Sequence, residues 1–344
     1  MDKTAIVILN WNGLEYLKKF LGLVTEYSSL PHTSVWLADN GSADGSVEWV
    51  SANLPQVKII SLNENHGFAG GYNLALGQID AEYYVLINSD IEVTTGWLSP
   101  LISFLDSHPE VAAVQPKILS LYRRTHFEYA GASGGYIDKY GFTFCRGRIF
   151  HTTEEDKGQY NDVAEVFWTS GACMMIRASA WKECGGLDPD FFAHMEEIDM
   201  CWRLHNMGWK LYAVPLSVVY HAGGGALPYN SPMKTFLNFR NNLFLLYKNL
   251  PSGKLRKILL KRKIMDLLAF IFFILQGKPV HAIQIVKAHI HYLNNVRSLK
   301  KKREIYPGNH ENYSKTKTIL NRSLVFEFYI KRNKTYASLI KYFN

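Results

Sequence analysis

The sequence has little cysteine, and its four cysteines, Cys145, Cys173, Cys184 and Cys201, form no CxxC pair. The N-terminal segment MDKTAIVILNW lacks a charged leader followed by a cleavable apolar stretch and is typical of a first β-strand. Disulfide scaffolds are common in small secreted domains and rare in the cytosol. The two absences argue against a secreted, disulfide-bonded protein and favour the cytoplasm.

No apolar run in the sequence is long enough to span a bilayer. The longest extends from Leu267 to Leu275, or over about a dozen residues from Ile264 if Asp266 is tolerated. As a helix, a dozen residues extend about 18 Å, well short of a hydrocarbon core of about 30 Å. We therefore expect this run to lie in one face of a membrane or in a protein core. Internal repeats and a GxGxxG dinucleotide fingerprint are also absent from the sequence.

Charge is distributed unevenly, although the 344 residues sum to a net charge of only +8. Residues 1–230 carry 15 basic and 26 acidic side chains, a net charge of −11, whereas residues 231–344 carry 23 basic and 4 acidic side chains, a net charge of +19. An acidic body with a basic tail indicates that the tail faces an anionic partner, either a membrane surface or nucleic acid.

What is present is the composition of a globular protein, with 47% hydrophobic and 20% charged residues. In the first hundred residues, strand-like runs alternate with helical patterns. This rhythm predicts an α/β fold with an open, mostly parallel sheet and helices on both faces. Polar clusters follow three of the strands at residues 10–12, 39–42 and 88–90. Ligands bind beyond the carboxyl ends of such strands, so these clusters are candidate binding residues.

The pattern changes twice along the rest of the chain. Residues 120–165 are irregular and are predicted to be a variable insertion or an antiparallel excursion. The body ends near His221 and the Gly223–Gly225 run, and we divide the chain into a domain at 1–230 and a basic, mainly helical region at 231–344. Within that region, six of ten residues over 254–263 are basic, and an amphipathic helix is predicted over 279–299.

Two polar clusters at strand ends allow a functional and a structural interpretation. Asn88, Ser89 and Asp90 follow the apolar strand that ends at Ile87. Oxygen ligands there suit Mg²⁺ or Mn²⁺, although the same residues favour a plain turn. Asp39 begins the turn DNGS and is a candidate acceptor of hydrogen bonds from a nucleobase. The Gly-rich segment at 67–71 leads into a helix, where backbone N–H groups can hold phosphate; close helix–sheet packing explains its glycines equally well.

Carboxylates are concentrated in the segment HMEEID. Glu196, Glu197 and Asp199 occupy three of four positions, and such clustering is costly unless a cation or a proton is shared. The cluster is a candidate general base beside a metal, with a solvated first helical turn as the alternative. His221 follows a strand and precedes three glycines, and a neutral imidazole there is a candidate metal ligand, although a lone His is more often structural.

Taken together in order, these segments resemble the family 2 glycosyltransferases of the GT-A fold, and more narrowly the bacterial rhamnosyltransferase-like members. The resemblance covers about residues 3–250. It rests on the motifs VILNWNG, DNGSADGS, NENHGFAGGYN, LINSD, GACMMIRASAW, GGLDPDFFAHMEEIDMCWR and VVYHAGGG. Each motif alone is weak, but their succession is specific.

The resemblance implies a role for each matching position. Asp39 is expected to read the nucleotide base, and the other donor-binding positions are Asn10, Asn12, Gly67, Asn73, Asn88, Ser89 and Asp90. Asp90 stands at the last Asp of the family's DxD metal motif and His221 at its later metal-binding His. Glu197 stands where the family usually has the Asp of its Glu-Asp pair, flanked by Glu196 and Asp199. Asn88 replaces the first Asp of DxD, which makes a weaker metal requirement possible.

The expected activity is inverting transfer of a sugar from dTDP-rhamnose or a UDP-hexose to a glycan or lipid-linked acceptor, with a divalent metal. Residues 254–303 are expected to hold the protein on the inner face of the cytoplasmic membrane. The alternatives are a helical region packed on the body, and a nucleotide-sugar binding module without catalysis. A nucleic-acid-binding tail is disfavoured by the acidic body and the absence of a recognised motif.

Overall fold

The computed structural model describes residues 2–223, 231–306, 308 and 310–343. The first strands are near-continuous apolar runs, as expected for a sheet covered on both faces. Four parallel strands form one half of the central sheet in the order β4-β1-β2-β3. They are β1 (Asp2–Asn10), β2 (Thr33–Asp39), β3 (Lys58–Ser61) and β4 (Ala81–Asn88).

The register of the parallel half aligns the polar ends of its strands. Asn10 of β1 is opposite Asp39 of β2, and Leu9 is opposite Asn88 of β4. The predicted donor-binding residues at 10–12, 39–42 and 88–90 therefore share one edge of the sheet. A binding edge at the carboxyl ends of parallel strands is the arrangement expected for an open α/β sheet.

The other half of the sheet is mixed, so the sheet is less uniformly parallel than the sequence predicted. The strand Cys173–Arg177 runs antiparallel to β4. It separates β4 from a parallel pair of strands, Val111–Ser120 and Lys210–His221. Two short strands, Ile91–Val93 and Ala164–Glu165, pair antiparallel with Lys210–His221. The strands of this half are β5 (Ile91–Val93), β6 (Val111–Ser120), β11 (Ala164–Glu165), β12 (Cys173–Arg177) and β13 (Lys210–His221). The α/β fold with helices on both faces is confirmed.

Helices cover the two faces of the sheet and enclose one apolar core on each side. One face carries α1 (Leu14–Tyr27), α2 (Ser46–Asn53) and α4 (Leu98–Ser107). The other carries α3 (Gly67–Leu76), α5 (Ala178–Cys184) and α6 (Glu196–Met207). All four cysteines are buried and free, as their spacing predicted.

The irregular segment at 120–165 is an antiparallel excursion, as predicted. It contains four short strands that form a second sheet, completed by a parallel strand from the C-terminal end of the chain. These strands are β7 (Gly135–Asp138), β8 (Thr143–Cys145), β9 (Arg148–Ile149), β10 (Thr152–Thr153) and β14 (Ile319–Leu320).

The C-terminal region contains three long helices, α7 (Pro232–Asn249), α8 (Ser252–Leu275) and α9 (Pro279–Ile305), and the short α10 (Leu324–Tyr329). Helix α7 is buried between α9 and the body, with Leu243, Phe244 and Leu246 at 0–1% exposure. Helix α7 packs against α6 of the body, and strand β14 pairs with β7. The predicted boundary at residue 230 remains a prediction, and Gly224 and Gly225 of the glycine run lie outside the described residues.

Helices α8 and α9 leave an apolar surface open to solvent. About half of the exposed large hydrophobic side chains in the described chain lie on this pair. We call them the hairpin surface: Leu260, Ile264, Leu267, Leu268, Ile271, Phe272, Ile274, Leu275, Val280, Ile283, Val286, Ile290 and Leu293. The apolar run is therefore not the core of a packed helical region. Among the described residues, no helix combines the length and the hydropathy needed to cross a membrane.

Candidate functional site

The loops after β1 and β2 are joined through the predicted nucleotide-binding residues. The side-chain amide of Asn10 donates to Asp39 Oδ1 (3.1 Å) and to Ser42 Oγ (3.1 Å). The other oxygen of Asp39 accepts from the backbone N–H of Ser42 at 2.9 Å. Asn12 accepts from the N–H of Ala43 through its side-chain oxygen (2.8 Å) and adopts φ 51°. The carboxylate of Asp39 is thereby fixed at the strand edge and 3% exposed.

The glycine-rich turn before α3 is held against the same edge. The amide of Asn40 donates to Asn65 Oδ1 (3.0 Å) and to the carbonyl of Gly67 (3.1 Å). Gly67 has φ +70°, and a Cβ there would lie 3.3 Å from the carbonyl oxygen of Phe192. A left-handed φ disfavours other residues, so glycine permits this turn to approach the loop before α6.

Asn73 binds protein backbone in this structure. Its amide nitrogen donates to the carbonyl of Leu187 (2.7 Å) and its oxygen accepts from the N–H of Leu187 (3.0 Å). Both ends of the amide are occupied. This arrangement supports a role in fixing the 185–188 turn against α3, whereas the sequence predicted that Asn73 lines the donor pocket.

Asp90, His221 and Glu128 form a buried cluster near the ends of β4, β13 and β6. Asp90 Oδ1 is 3.1 Å from Nε2 of His221, and Glu128 Oε2 is 3.2 Å from its Nδ1, although the second contact lacks good hydrogen-bond alignment. The backbone fixes the approach, because His221 is paired with Ile91 and the N–H of Ala222 donates to the carbonyl of Asp90. The structure thus brings together the two predicted metal ligands.

The charges of this cluster determine its protonation. Burial alone would lower the pKa of His221, but the contact with Asp90 and the negative charges of Asp90 and Glu128 outweigh it and raise the pKa to about 10. Burial would raise the pKa of Asp90, and the contact with His221 lowers it below its usual range. In this arrangement the ring is a cation held between two carboxylates.

The chemistry of these side chains fits a divalent metal only in part. Asp90 supplies a hard oxygen and His221 a nitrogen, a donor pair compatible with Mn²⁺ or Mg²⁺ once the ring is neutral. No group of three or more His, Cys, Asp or Glu side chains is arranged as a metal site in the part of the chain that the structure describes. A metal bound by this pair would therefore need further oxygen ligands, of the kind a diphosphate provides.

Glu196, which is buried, and Glu197, which is half-buried, begin α6 as a pair of carboxylates. One oxygen of each, Oε2, is buried without a hydrogen-bond partner among the described residues. Burial raises the pKa of Glu197 to about 7, and burial together with the charge of Glu197 raises the pKa of Glu196 well above its usual range. A carboxylate with a pKa near neutrality and a free oxygen has the properties expected of a general base.

Glu197 lies close to the strand end that carries Asn88. Its Cβ is 3.6 Å from the position that a Cβ on Gly171 would take. The next residue, Ala172, accepts from the backbone N–H of Asn88 through its carbonyl at 2.9 Å. On the other side, the loop before α6 contacts Gly67. The Glu pair is thus placed between the glycine-rich turn and the 88–90 strand end.

Asp199, grouped with the Glu pair by the sequence, has different surroundings. It accepts from Arg203 Nε (3.0 Å), Lys248 Nζ (2.7 Å) and the amide of Asn249 (2.8 Å), and it is 0% exposed. Two cations and an amide saturate its oxygens. Its contacts support a structural role, and we no longer consider Asp199 a candidate base.

Several residues of this region were missed by the sequence analysis. Glu128 lies in the irregular 120–165 segment, where no periodicity marks it. Arg240, Asn241 and Lys248 lie on α7, where their polar side chains resemble an ordinary solvated face. All three are buried against the body. Their burial follows from long-range packing, which the local sequence pattern does not indicate.

The architecture is that of the GT-A fold, which solved structures of other proteins share. The structure is similar to residues 1–349 of TarS from S. aureus in complex with UDP-GlcNAc, with a TM-score of 0.53, 15% identity and coverage of 91% of this chain and 92% of that one. It is also similar to GalNAc-T7 with UDP, GalNAc and Mn²⁺, with a TM-score of 0.57, 15% identity and coverage of 74% and 49%.

The chain belongs to Glycosyl transferase family 2, whose model matches residues 5–185. It is 26% identical over 235 residues to the N-acetylglucosaminyl-diphospho-decaprenol L-rhamnosyltransferase of Mycobacterium tuberculosis, covering 64% of this chain and 76% of the relative. It is 26% identical over 167 residues to the rhamnosyltransferase WbbL of Escherichia coli, covering 46% and 60%. The resemblance inferred from the motifs is thereby confirmed, including its rhamnosyltransferase-like character.

Proposed function

We propose that this enzyme transfers a sugar from a nucleoside-diphosphate sugar to an acceptor hydroxyl with inversion, using Glu197 as the general base. The observation that carries the proposal is the Glu196–Glu197 pair, in which one buried oxygen of each residue has no hydrogen-bond partner among the described residues and the pKa of Glu197 is raised to about 7. A purely structural carboxylate in the same helix, Asp199, is fully paired. The contrast supports a chemical role for the Glu pair.

The donor is proposed to bind along the edge formed by the loops after β1, β2 and β4. Asp39, held by Asn10 and Ser42, is the proposed acceptor of hydrogen bonds from the nucleobase. Asn12, Gly67 and the residues 88–90 line the remainder of this edge. A divalent cation held by Asp90 and His221 would neutralise charge on the departing diphosphate.

The chemical step is a single displacement. Glu197 takes the proton of the acceptor hydroxyl as its oxygen bonds to the anomeric carbon. The bond from that carbon to the diphosphate oxygen breaks, and its electron pair leaves with the nucleoside diphosphate. Attack opposite the leaving group inverts the anomeric configuration. General base catalysis typically contributes about 10²–10⁴-fold to the rate.

The proposed donors are dTDP-rhamnose, favoured by the relatives' names, and a UDP-hexose. The Mycobacterium tuberculosis relative is named for a rhamnosyl transfer to N-acetylglucosaminyl-diphospho-decaprenol. A lipid-linked glycan is accordingly the acceptor that we propose here, in cell-surface polysaccharide synthesis. Such an acceptor is presented at a membrane, which connects the chemistry to the hairpin surface.

The hairpin surface is proposed to rest on the inner face of the cytoplasmic membrane. Leu267, Leu268 and Phe272 are 50–62% exposed, and Leu275 is 81% exposed. Exposed lysines and arginines flank these side chains on the same two helices, at Arg256, Lys257, Lys261, Lys263 and Lys287. Apolar side chains next to basic ones fit the interface of an anionic bilayer. Nucleic acid is not proposed as a partner.

The donor site is tested by thermal-shift titration of the purified protein with dTDP- and UDP-sugars, with and without Mn²⁺ or Mg²⁺. A ligand at 100 times its Kd stabilises by about 2.7 kcal/mol. Metal-enhanced stabilisation by one nucleotide series, followed by release of that nucleoside diphosphate on adding acceptor, supports the proposal. Binding without release by any tested acceptor would indicate the noncatalytic module, and the absence of any response would contradict the donor site.

The membrane contact is tested by flotation with vesicles of phosphatidylcholine, with and without phosphatidylglycerol. We expect binding to the anionic vesicles that weakens with salt. Phe272→Glu should lower partitioning by about tenfold, since burying one such side chain contributes about 1.5–3 kcal/mol. Leu216→Glu is the matched control, because Leu216 is 77% exposed on β13. Equal loss in both variants, or salt-dependent binding to RNA instead of vesicles, would contradict the membrane contact.

A further inference from the structure

The loop between the turn Pro189–Phe191 and α6 has an unusual backbone. Phe192, His194 and Met195 all adopt positive φ, at 63°, 68° and 70°. Residues other than glycine rarely adopt a positive φ, and this conformation is stable only where the surrounding structure holds it. Met195 is the last residue before the Glu pair, so its conformation sets the direction in which Glu196 and Glu197 leave the loop.

Helix α7 supplies the contacts that hold this loop. The side-chain amide of Asn241 donates to the carbonyls of Phe191 (3.0 Å), Ala193 (2.8 Å) and His194 (2.6 Å). Arg240 Nη2 donates to the carbonyls of Asp190 (2.9 Å) and Phe191 (2.8 Å). Two adjacent side chains of one helix therefore bind four carbonyls, two in the turn Pro189–Phe191 and two in the loop that follows it.

Arg240 and Asn241, which we call the clamp, are themselves oriented and buried. Arg240 Nε donates to Asn241 Oδ1 at 2.8 Å, which directs the nitrogen of that amide toward the loop. Asn241 is 0% exposed and Arg240 is 7% exposed. Helix α7 therefore supplies buried donors to the carbonyls of Phe191 and His194, and the carbonyl of Phe191 also accepts from the N–H of Ala193.

We propose that Arg240 and Asn241 are positioning residues that hold the 192–195 loop in the conformation required for transfer. They touch neither substrate nor reacting atoms and act through the placement of Glu197. This inference rests on the proposed function for its effect on the reaction, but the clamp itself is a property of the protein alone. It assigns to the C-terminal helix a part of the catalytic geometry, although the matched family segment ends at residue 185.

The test compares Asn241→Ala with Asn242→Ala in the full-length chain. Asn242 is the next residue of α7 and is 1% exposed, but it binds Gly141 and Arg262 rather than the loop. Both variants lose a buried amide. We expect amide hydrogen exchange over 192–197 to accelerate only in Asn241→Ala, and kcat to fall about 10- to 100-fold there, the size expected for a displaced reactive group.

Two further readouts separate positioning from loss of folding. In Asn241→Ala the donor Kd should stay within about twofold, and the apparent pKa of the kcat profile should fall below about 7 as the Glu pair becomes hydrated. Arg240→Lys should retain more activity than Arg240→Ala. Unchanged exchange over 192–197 in Asn241→Ala, or equal kcat losses in the two Asn variants, would overturn the proposal. Full activity of Glu197→Gln with faster loop exchange in Asn241→Ala would instead overturn the base assignment.

Discussion

Two pairs of buried carboxylates lie in and just before α6, and their surroundings differ completely. Glu196 and Glu197 each keep a buried oxygen that has no partner in the part of the chain that the structure describes. Asp188 and Asp199 are joined by Lys248, at 2.5 and 2.7 Å, and are bound further by Lys302 and Arg203. The same residue chemistry therefore gives one pair whose pKa values are raised and one pair whose oxygens are held by cations.

The pKa values express this difference. Burial raises the pKa of Glu197 to about 7. Burial would also raise the pKa of Asp188, but the charges of Lys248 and Lys302 outweigh it and lower the pKa to about 2. Burial is thus common to both pairs, and the presence of cations decides the direction. A carboxylate left unpaired costs stability, which a protein tolerates where the reaction needs it.

The largest effect is expected from removing the proposed base. Glu197→Gln should lower kcat by about 10²–10⁴-fold and leave the donor Kd nearly unchanged, because the amide keeps the shape but cannot accept the proton. Product formation with a fixed acceptor measures it. Glu196→Gln is the paired variant, and near-normal turnover in Glu197→Gln combined with loss in Glu196→Gln would transfer the role to the neighbour.

Breaking the ion-paired carboxylates should affect folding instead. Lys248→Met removes the cation shared by Asp188 and Asp199 and should lower the free energy of unfolding by about 3–5 kcal/mol. Urea denaturation followed by circular dichroism measures the change. The control is Lys257→Met on the exposed face of α8, where we expect a change within about 0.5 kcal/mol. Similar values for both would show that the buried network contributes little.

Glu197 and Asp188 should respond to pH in opposite directions. Since the folded-state pKa of Glu197 is raised, its contribution to stability is present below about pH 4.5 and is lost as pH rises toward 7. Glu197→Gln should therefore be more stable than the parent at pH 8, on the order of 1–3 kcal/mol, and equal to it near pH 4. Asp188 should contribute above about pH 4 and lose its contribution as pH falls toward 2. Thermal unfolding across pH 3–8 tests both signs.

The edge of the ion-paired network should contribute least. Lys302 bridges Asp188 and Asp190 but is 22% exposed, so solvent screens its charge. Lys302→Met should lower the free energy of unfolding by about 0.5–1 kcal/mol, well below the effect of Lys248→Met. An effect as large as that of Lys248→Met would show that exposure does not rank the members of the network.

The sequence predicted the parts of the site that depend on neighbouring residues in the chain. Asp39 and Asp90 follow apolar runs, so their places at strand ends could be derived from periodicity alone. Asp199 could not be separated from Glu196 and Glu197, because the cation that distinguishes it, Lys248, is 49 residues away. Glu128 could not be predicted either, because it lies in an irregular segment far from His221 in the sequence. The antiparallel insertion of β12 depends on long-range pairing that local patterns do not encode.

The exposure of the α8–α9 pair was also beyond the sequence. The run Leu267–Leu275 is equally apolar whether it fills a core or faces outward. Which alternative holds depends on what α7 leaves uncovered. Burial of Ile258, Ala282 and Ile285 uses the inward side of the pair, whereas the side chains of the hairpin surface are 45–81% exposed.

The polar stripe on α7 also has a consequence for how the chain is made. Arg240, Asn241, Lys248 and Asn249 neutralise or bind groups that belong to residues 188–199, which leave the ribosome earlier. The sheet is complete at His221, and Asp199 can already pair with Arg203, yet Asp188 depends on Lys248, which is synthesised about thirty residues later. A fragment truncated before α7 would retain every strand of the central sheet and still carry uncompensated charge in its interior. Expression of the nucleotide-binding part alone should therefore yield an aggregation-prone product.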